Sequence, residues 1–122
     1  MRPLARLAVE VVAGVTVATI EGEIDASNAP EIATELRSLI DNRAQGIVVD
    51  LTPTRYLDSA GINLLFALGD ELRSRQQTLR LVVGATTPVA RMLAITGLDR
   101  VQPTHHTVAD ALAAARRSSA AQ

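Results

Sequence analysis

The chain of 122 residues has no cysteine and no lysine, and all twelve of its basic residues are arginine. Without a thiol there is no disulfide, no thiolate metal site and no cysteine nucleophile. Without lysine there is no Schiff-base chemistry and no phosphate loop closing on Gly-Lys-Ser/Thr. Aromatic residues amount to 2%, namely Tyr56 and Phe66, which leaves almost nothing on which nucleic-acid bases could stack. The formal net charge is −1 and the arginines are scattered, so a basic footprint for DNA or RNA is also missing. No run approaches the roughly 20 apolar residues of a membrane span. The opening Met1-Arg2-Pro3-Leu4-Ala5-Arg6 has no long apolar run behind its basic residues, unlike a signal peptide. Together these absences point to a cytoplasmic protein with no contact to nucleic acid or membrane.

What is present is an ordinary globular composition, 48% hydrophobic and 20% charged. The length fits one domain, spanning 1–122, with a core over about 7–117 and a frayed tail at 118–122. With so few rings, the core has to be built from Leu, Ile, Val and Ala.

Residues 7–12 and 15–21 carry β-branched, partly alternating side chains and read as two strands joined by a hairpin at Ala13-Gly14. Helix signals follow from Asn28, with Pro30 in the first turn and Glu31 placed for a capping box. The continuous apolar run 46–51 suits a strand covered on both faces, and Thr52-Pro53-Thr54 breaks it. A long helix over about 59–75 comes next, apolar nearly all round in its first two turns. Residues 79–84 form another strand. Thr87-Pro88 starts a short helix that Gly97 ends. A short strand at 100–103 and a final helix capped by Thr107 complete the order ββαβαβαβα. An opening hairpin followed by βα units predicts an α/β domain with a mixed sheet and packed helices.

The segment Leu57-Asp58-Ser59-Ala60-Gly61-Ile62 is the most informative one. Asp, Ser and Gly are ordinary residues at a helix start, and Asp58 can simply be a cap. The same position has chemical consequences. A helix N-terminus presents unpaired N–H groups and partial positive charge, so a serine there is open to a kinase and a phosphate on it can be accommodated. Asp25-Ala26-Ser27-Asn28 is the second candidate, either a plain strand-to-helix turn or part of a shared surface. If the two loops follow strands running the same way, they meet at one end of the sheet.

Asp58-Ser59-Ala60-Gly61-Ile62, placed after Ile47–Leu51, resembles the phosphorylation-site motif of bacterial anti-sigma factor antagonists, which are single STAS domains. Gly22-Glu23-Ile24-Asp25 is similar to the end of that family's second strand, and Ile95-Thr96-Gly97-Leu98 to its short helix ending. The element order agrees from about Leu7 to Arg116. The resemblance implies a STAS-like fold and a binding protein rather than an enzyme. It implies that the unphosphorylated protein binds an anti-sigma factor that is also a serine kinase and frees a sigma factor. Phosphorylation of Ser59 then breaks the complex, and a separate serine phosphatase resets it. The implied partner surface is Asp25, Ser27, Asn28, Asp58, Ser59, Ala60, Gly61 and Ile62. Ala60 departs from the many members that carry a second Ser or Thr there, which leaves Ser59 as the acceptor. The expected assembly is a monomer or weak homodimer. The alternative is a STAS module that is never phosphorylated and serves as an adaptor in a stress-signalling or transporter-associated complex.

Other chemistries find less support. His105-His106 are neighbours that point apart, with no other His or Cys to complete a zinc site, so no metal is expected. A serine hydrolase would need a Gly-x-Ser-x-Gly elbow, which Ser59 lacks. A two-component receiver would place a phospho-acceptor at Asp50, but it starts βα and needs a late lysine. No glycine-rich phosphate cradle is visible, and no cofactor is expected.

Overall fold

The computed structural model describes residues 4–42 and 44–120. The elements are β1 (Ala5–Val12), β2 (Val15–Ile24), α1 (Ala29–Arg37), β3 (Gly46–Asp50), β4 (Thr54–Leu57), α2 (Ser59–Ser74), β5 (Thr78–Val82), α3 (Pro88–Thr96), α4 (Leu98–Val101), β6 (Thr104–His105) and α5 (Val108–Ala120). The sheet runs β1-β2-β3-β5-β6, with β4 also pairing β2. Among the described residues only β1 is antiparallel to its neighbour, and every other pair is parallel. This is the mixed α/β sheet expected from an opening hairpin and βα repeats.

The hairpin closes as a two-residue turn. Ala13 and Gly14 both take positive φ, +52° and +81°, the left-handed pair that matches strand twist. The central strand β3 is buried along Gly46–Val49, as its unbroken apolar run requires. Alternate residues of the sheet feed two cores. Ala18, Ile20, Ile47, Val49, Leu79 and Leu81 pack with α1, α2 and α3 on one face. Val17, Val48 and Val82 pack with Ala111 and Leu112 of α5 on the other. The period of two along each strand thus divides one apolar inventory between two layers.

The structure departs from the sequence reading of the elements and their bounds at three places. The chain after β3 does not run straight into α2. It forms the extra strand β4, and Thr54, expected only to break structure, is buried and donates its hydroxyl to the Ile20 carbonyl at 2.6 Å. The strand expected at 100–103 is instead the short helix α4, and the last strand is displaced to Thr104–His105. The tail expected at 118–122 is helical through Ala120, where α5 continues; residues 121–122 lie outside the described residues.

Gly22 stands where β2 begins to pair with β4. The pairing of β2 shifts register between Gly22 and Glu23, where Gly22 takes φ +112°. A Cβ there would collide with the Leu4 carbonyl oxygen. The residue left unpaired at this irregularity is Arg55 of β4; β2 is paired with β3 as far as Thr19 and with β4 from Gly22 to Ile24.

Candidate functional site

The site is built where β2 and β4 end side by side. Ile24 and Leu57 are the last paired residues of these parallel strands, and both are buried. The chain leaves them as the Asp25–Asn28 loop and the Asp58-Ser59 turn. The Asp58 N–H donates to the Ile24 carbonyl at 3.2 Å, which ties the two exits together. The two loops therefore share one end of the sheet, and the strand that delivers Ser59 is β4 rather than β3.

In the first loop, the Ser27 N–H and hydroxyl both donate to Asp25 Oδ1, at 2.8 and 2.5 Å. These bonds favour the ionised form and hold the Asp25 carboxyl below its ordinary range, the Ser27 hydroxyl being the largest cause. Asn28 stands at the start of α1, but its side chain caps nothing. Its Oδ1 accepts from the Asp25 N–H at 2.9 Å, and its Nδ2 donates to the Glu23 carbonyl at 2.9 Å. The capping box with Glu31 does not form, because the amide is used to fold the loop back onto the end of β2.

In the second loop, Asp58 caps α2. Its Oδ1 accepts from the Ala60 N–H at 2.9 Å and the Gly61 N–H at 3.3 Å. Ser59 is the first residue of the helix, exposed, and its side chain has no hydrogen-bond partner among the described residues. The donors expected to receive a phosphate are partly taken already by the Asp58 carboxylate. A phosphate on Ser59 would therefore stand beside a carboxylate and add to a concentration of negative charge formed by Asp58 and the neighbouring Asp25 loop.

Gly61 and Ile62 are both buried, Ile62 at 3% exposure, on the inward side of α2. A Cβ on Gly61 would lie 3.0 Å from Leu57 Cβ and 3.2 Å from Ile24 Cγ2. The close approach that Gly61 permits is thus within the molecule, drawing α2 onto the ends of β2 and β4. The outward surface is left to Asp25, Ser27, Asn28, Asp58, Ser59 and Ala60, all exposed or half-buried.

Two large apolar side chains that sequence reasoning did not assign to any surface are exposed on elements that pack against each other: Tyr56, 52% exposed on β4, and Ile95, 73% exposed on α3. Missing β4 hid Tyr56, since without a strand the direction of that ring cannot be read. His105 and His106 are divided as expected for neighbours. His105 Nε2 lies 3.4 Å from Arg80 Nη1, and His106 Nδ1 lies 3.3 Å from the Val83 carbonyl. Among the described residues no group of three His, Asp or Glu converges on a metal position, and no helix is long and apolar enough to cross a membrane.

The STAS domain family model matches residues 6–111, and the chain belongs to that family. It is 34% identical over 84 residues to the anti-sigma-B factor antagonist of Listeria monocytogenes, covering 67% of this chain and 71% of that one. It is 29% identical over 104 residues to the anti-sigma-F factor antagonist of Mycobacterium tuberculosis, covering 84% and 83%. The crystal structure of an anti-sigma factor antagonist from Mycobacterium paratuberculosis superposes with a TM-score of 0.82 at 29% identity, over 92% of this chain and 94% of that one.

Proposed function

We propose that the protein is an anti-sigma factor antagonist that works by binding in the cytoplasm rather than by catalysis. Unphosphorylated, the rim formed by Asp25, Ser27, Asn28, Asp58, Ser59 and Ala60 engages an anti-sigma factor that is also a serine kinase, and this frees a sigma factor. Gly61 and Ile62 serve the same surface from beneath by seating α2. The kinase phosphorylates Ser59, the complex dissociates, and a serine phosphatase restores the binding form.

The observation that carries this reading is Ser59 itself: an exposed hydroxyl without a partner among the described residues, on the first turn of a helix that its neighbour Asp58 already caps. Modification there costs the fold no hydrogen bond made by the serine side chain, while it changes the charge of the rim. The similarity to named antagonists in both sequence and structure supports the same role.

The test is intact-mass spectrometry after incubation with ATP and each anti-sigma factor kinase encoded in the same genome, with wild type and Ser59→Ala in parallel. One added phosphate on wild type and none on Ser59→Ala is the expected result, together with loss of binding on phosphorylation. Binding without any phosphorylation would overturn the switch and leave the unphosphorylated adaptor.

A further inference from the structure

We propose that β1 pairs antiparallel with β1 of a second copy of this chain, about a two-fold axis at Ala8, joining the two sheets into one. The inference does not rest on the antagonist reading.

Among the described residues β1 has a single neighbour, β2, so its other side is a free edge. Which backbone groups point outward follows from the ladder. In a two-residue hairpin the closing pair, here Val12 and Val15, is hydrogen-bonded, and bonded and non-bonded pairs then alternate. The Glu23 N–H donates to the Leu4 carbonyl at 3.1 Å, which fixes the same parity at the far end. The even-numbered residues therefore bond to β2. The N–H and C=O groups of Ala5, Leu7, Val9 and Val11 face away from it, unpaired by any strand. Edges of this kind are usually guarded by proline, charged side chains or a bulge. Between Ala5 and Val12 there is no proline, the register is unbroken, and the two charges present, Arg6 and Glu10, are of opposite sign.

The side chains select a copy of the same strand. Centred on Ala8, the pairing sets Leu7 opposite Val9 of the second copy and Ala5 opposite Val11, so all four outward-facing backbone positions meet one another. On the other face it sets Arg6 opposite Glu10 of the second copy, twice by symmetry. Arg6 already stands across from Glu21 within its own hairpin, so each junction carries the row Glu21, Arg6, Glu10. Moving the axis to Leu7 keeps the backbone parity but sets Arg6 opposite Ala8. Moving it to Val9 likewise sets Glu10 opposite Ala8. The register with complementary charge is thus the one centred on Ala8.

The apolar face is complementary as well. α1 covers the first half of β1, where Leu4, Ala5 and Leu7 line a cleft of about 150 Å³ with Ile32. The second half is bare, with Val9 46% and Val11 68% exposed. The two-fold axis lays the bare half of one strand beside the covered half of the other. Because the strands run in opposite directions, the two Ser59 rims fall at opposite ends of the joined sheet, and each stays open.

A single strand pair buries less than the standard interface of about 1,600 Å², so the dimer is of the weak, transient class. The test is sedimentation equilibrium of the full chain from about 10 to about 500 µM, a range that spans micromolar dissociation constants. Wild type is expected to associate with concentration. Arg6→Glu and Glu10→Arg alone each place like charges opposite one another at both junctions and weaken association about tenfold. Mixing the two singly reversed proteins restores it as a heterodimer, since one copy then brings only acids to the junctions and the other only arginines. Val9→Pro removes an N–H that the monomer does not use in its own ladder, so it abolishes the dimer while the circular dichroism and Tm of the monomer persist. A wild type that stays monomeric throughout overturns the proposal and leaves the edge to a strand of a different protein. A dimer indifferent to both charge reversals also overturns it, because it must use another face.

Discussion

The Asp58 N–H donates to the Ile24 carbonyl at 3.2 Å, and through that bond the exit of β4 is fixed against the exit of β2. Two loops that are far apart in the chain become one surface. Asp58 also places its carboxylate on the Ala60 and Gly61 N–H groups, so the same residue ties the strands and starts the helix that presents Ser59.

Replacing Asp58 with alanine removes the cap of α2. The expected loss is about 1 kcal/mol of folding stability. In a domain of this size that lowers Tm by a few degrees, about 3 to 6 °C. Ser59→Ala, which removes a side chain with no partner, stays within about 0.5 kcal/mol of wild type. Thermal denaturation of the two variants side by side checks the difference. Equal destabilisation would show that Asp58 is not acting as the cap.

Ser59→Glu adds one negative charge to the rim without requiring a kinase. Against a partner carboxylate about 4 Å away, at an effective dielectric near 20, the cost is about 4 kcal/mol before screening. Even a quarter of that, about 1 kcal/mol, weakens binding to the anti-sigma factor roughly fivefold. Phosphate, with a charge of about −1.5 to −2, acts more strongly. Isothermal titration calorimetry should rank wild type and Ser59→Ala as tight, Ser59→Glu as weaker and the phosphorylated protein as weakest.

Thr54→Val keeps the shape of a buried side chain but deletes its 2.6 Å bond to the Ile20 carbonyl. The expected cost is about 1 to 2 kcal/mol, since a buried acceptor loses its donor. Urea unfolding measures it as a lower midpoint with an unchanged slope. Because Thr54 anchors β4, hydrogen exchange should also quicken at Tyr56 and Asp58 before the rest of the sheet.

His105 supplies a pH dependence. Burial is the first cause that lowers its pKa from the ordinary 6.5, and the neighbouring Arg80 guanidinium adds to it. The unfolded chain then binds a proton at higher pH than the folded one. Stability present above pH 6.5 is therefore lost as pH falls through the lowered folded value. Guanidine unfolding between pH 7.5 and about 5 is expected to show this decline, and His105→Gln to flatten it.

Much of this molecule was legible in its sequence. The two-residue turn at Ala13-Gly14, the doubly covered strand at 46–50, the Thr87 and Thr107 caps and the left-handed Gly97 are local matters, set by backbone sterics and by side chains that reach their own neighbours. The resemblance of the 57–62 segment also pointed to Ser59. Strand β4 escaped because Thr54-Arg-Tyr-Leu57 is too short and too polar to signal a strand, and the partner that orders it, the end of β2, lies far away in the chain. Asn28 misled for a related reason. Its spacing to Glu31 satisfies a capping box, but the carbonyl of Glu23 and the N–H of Asp25 compete for the same amide and win it in the folded chain.

By itself the sequence determined the inventory: no thiol, no lysine and few rings, an aliphatic set of core residues, a hairpin followed by βα units, and a serine at a helix start. Those features depend on residue chemistry and on contacts a few positions long. The tertiary structure alone decided that the Asp25 and Ser59 loops meet, that Gly61 is buried against Leu57 and Ile24 while Ser59 faces out, and that β1 pairs with β2 alone among the described residues. Each of these depends on which strand lies beside which, and strand order is set by packing between residues far apart in the chain.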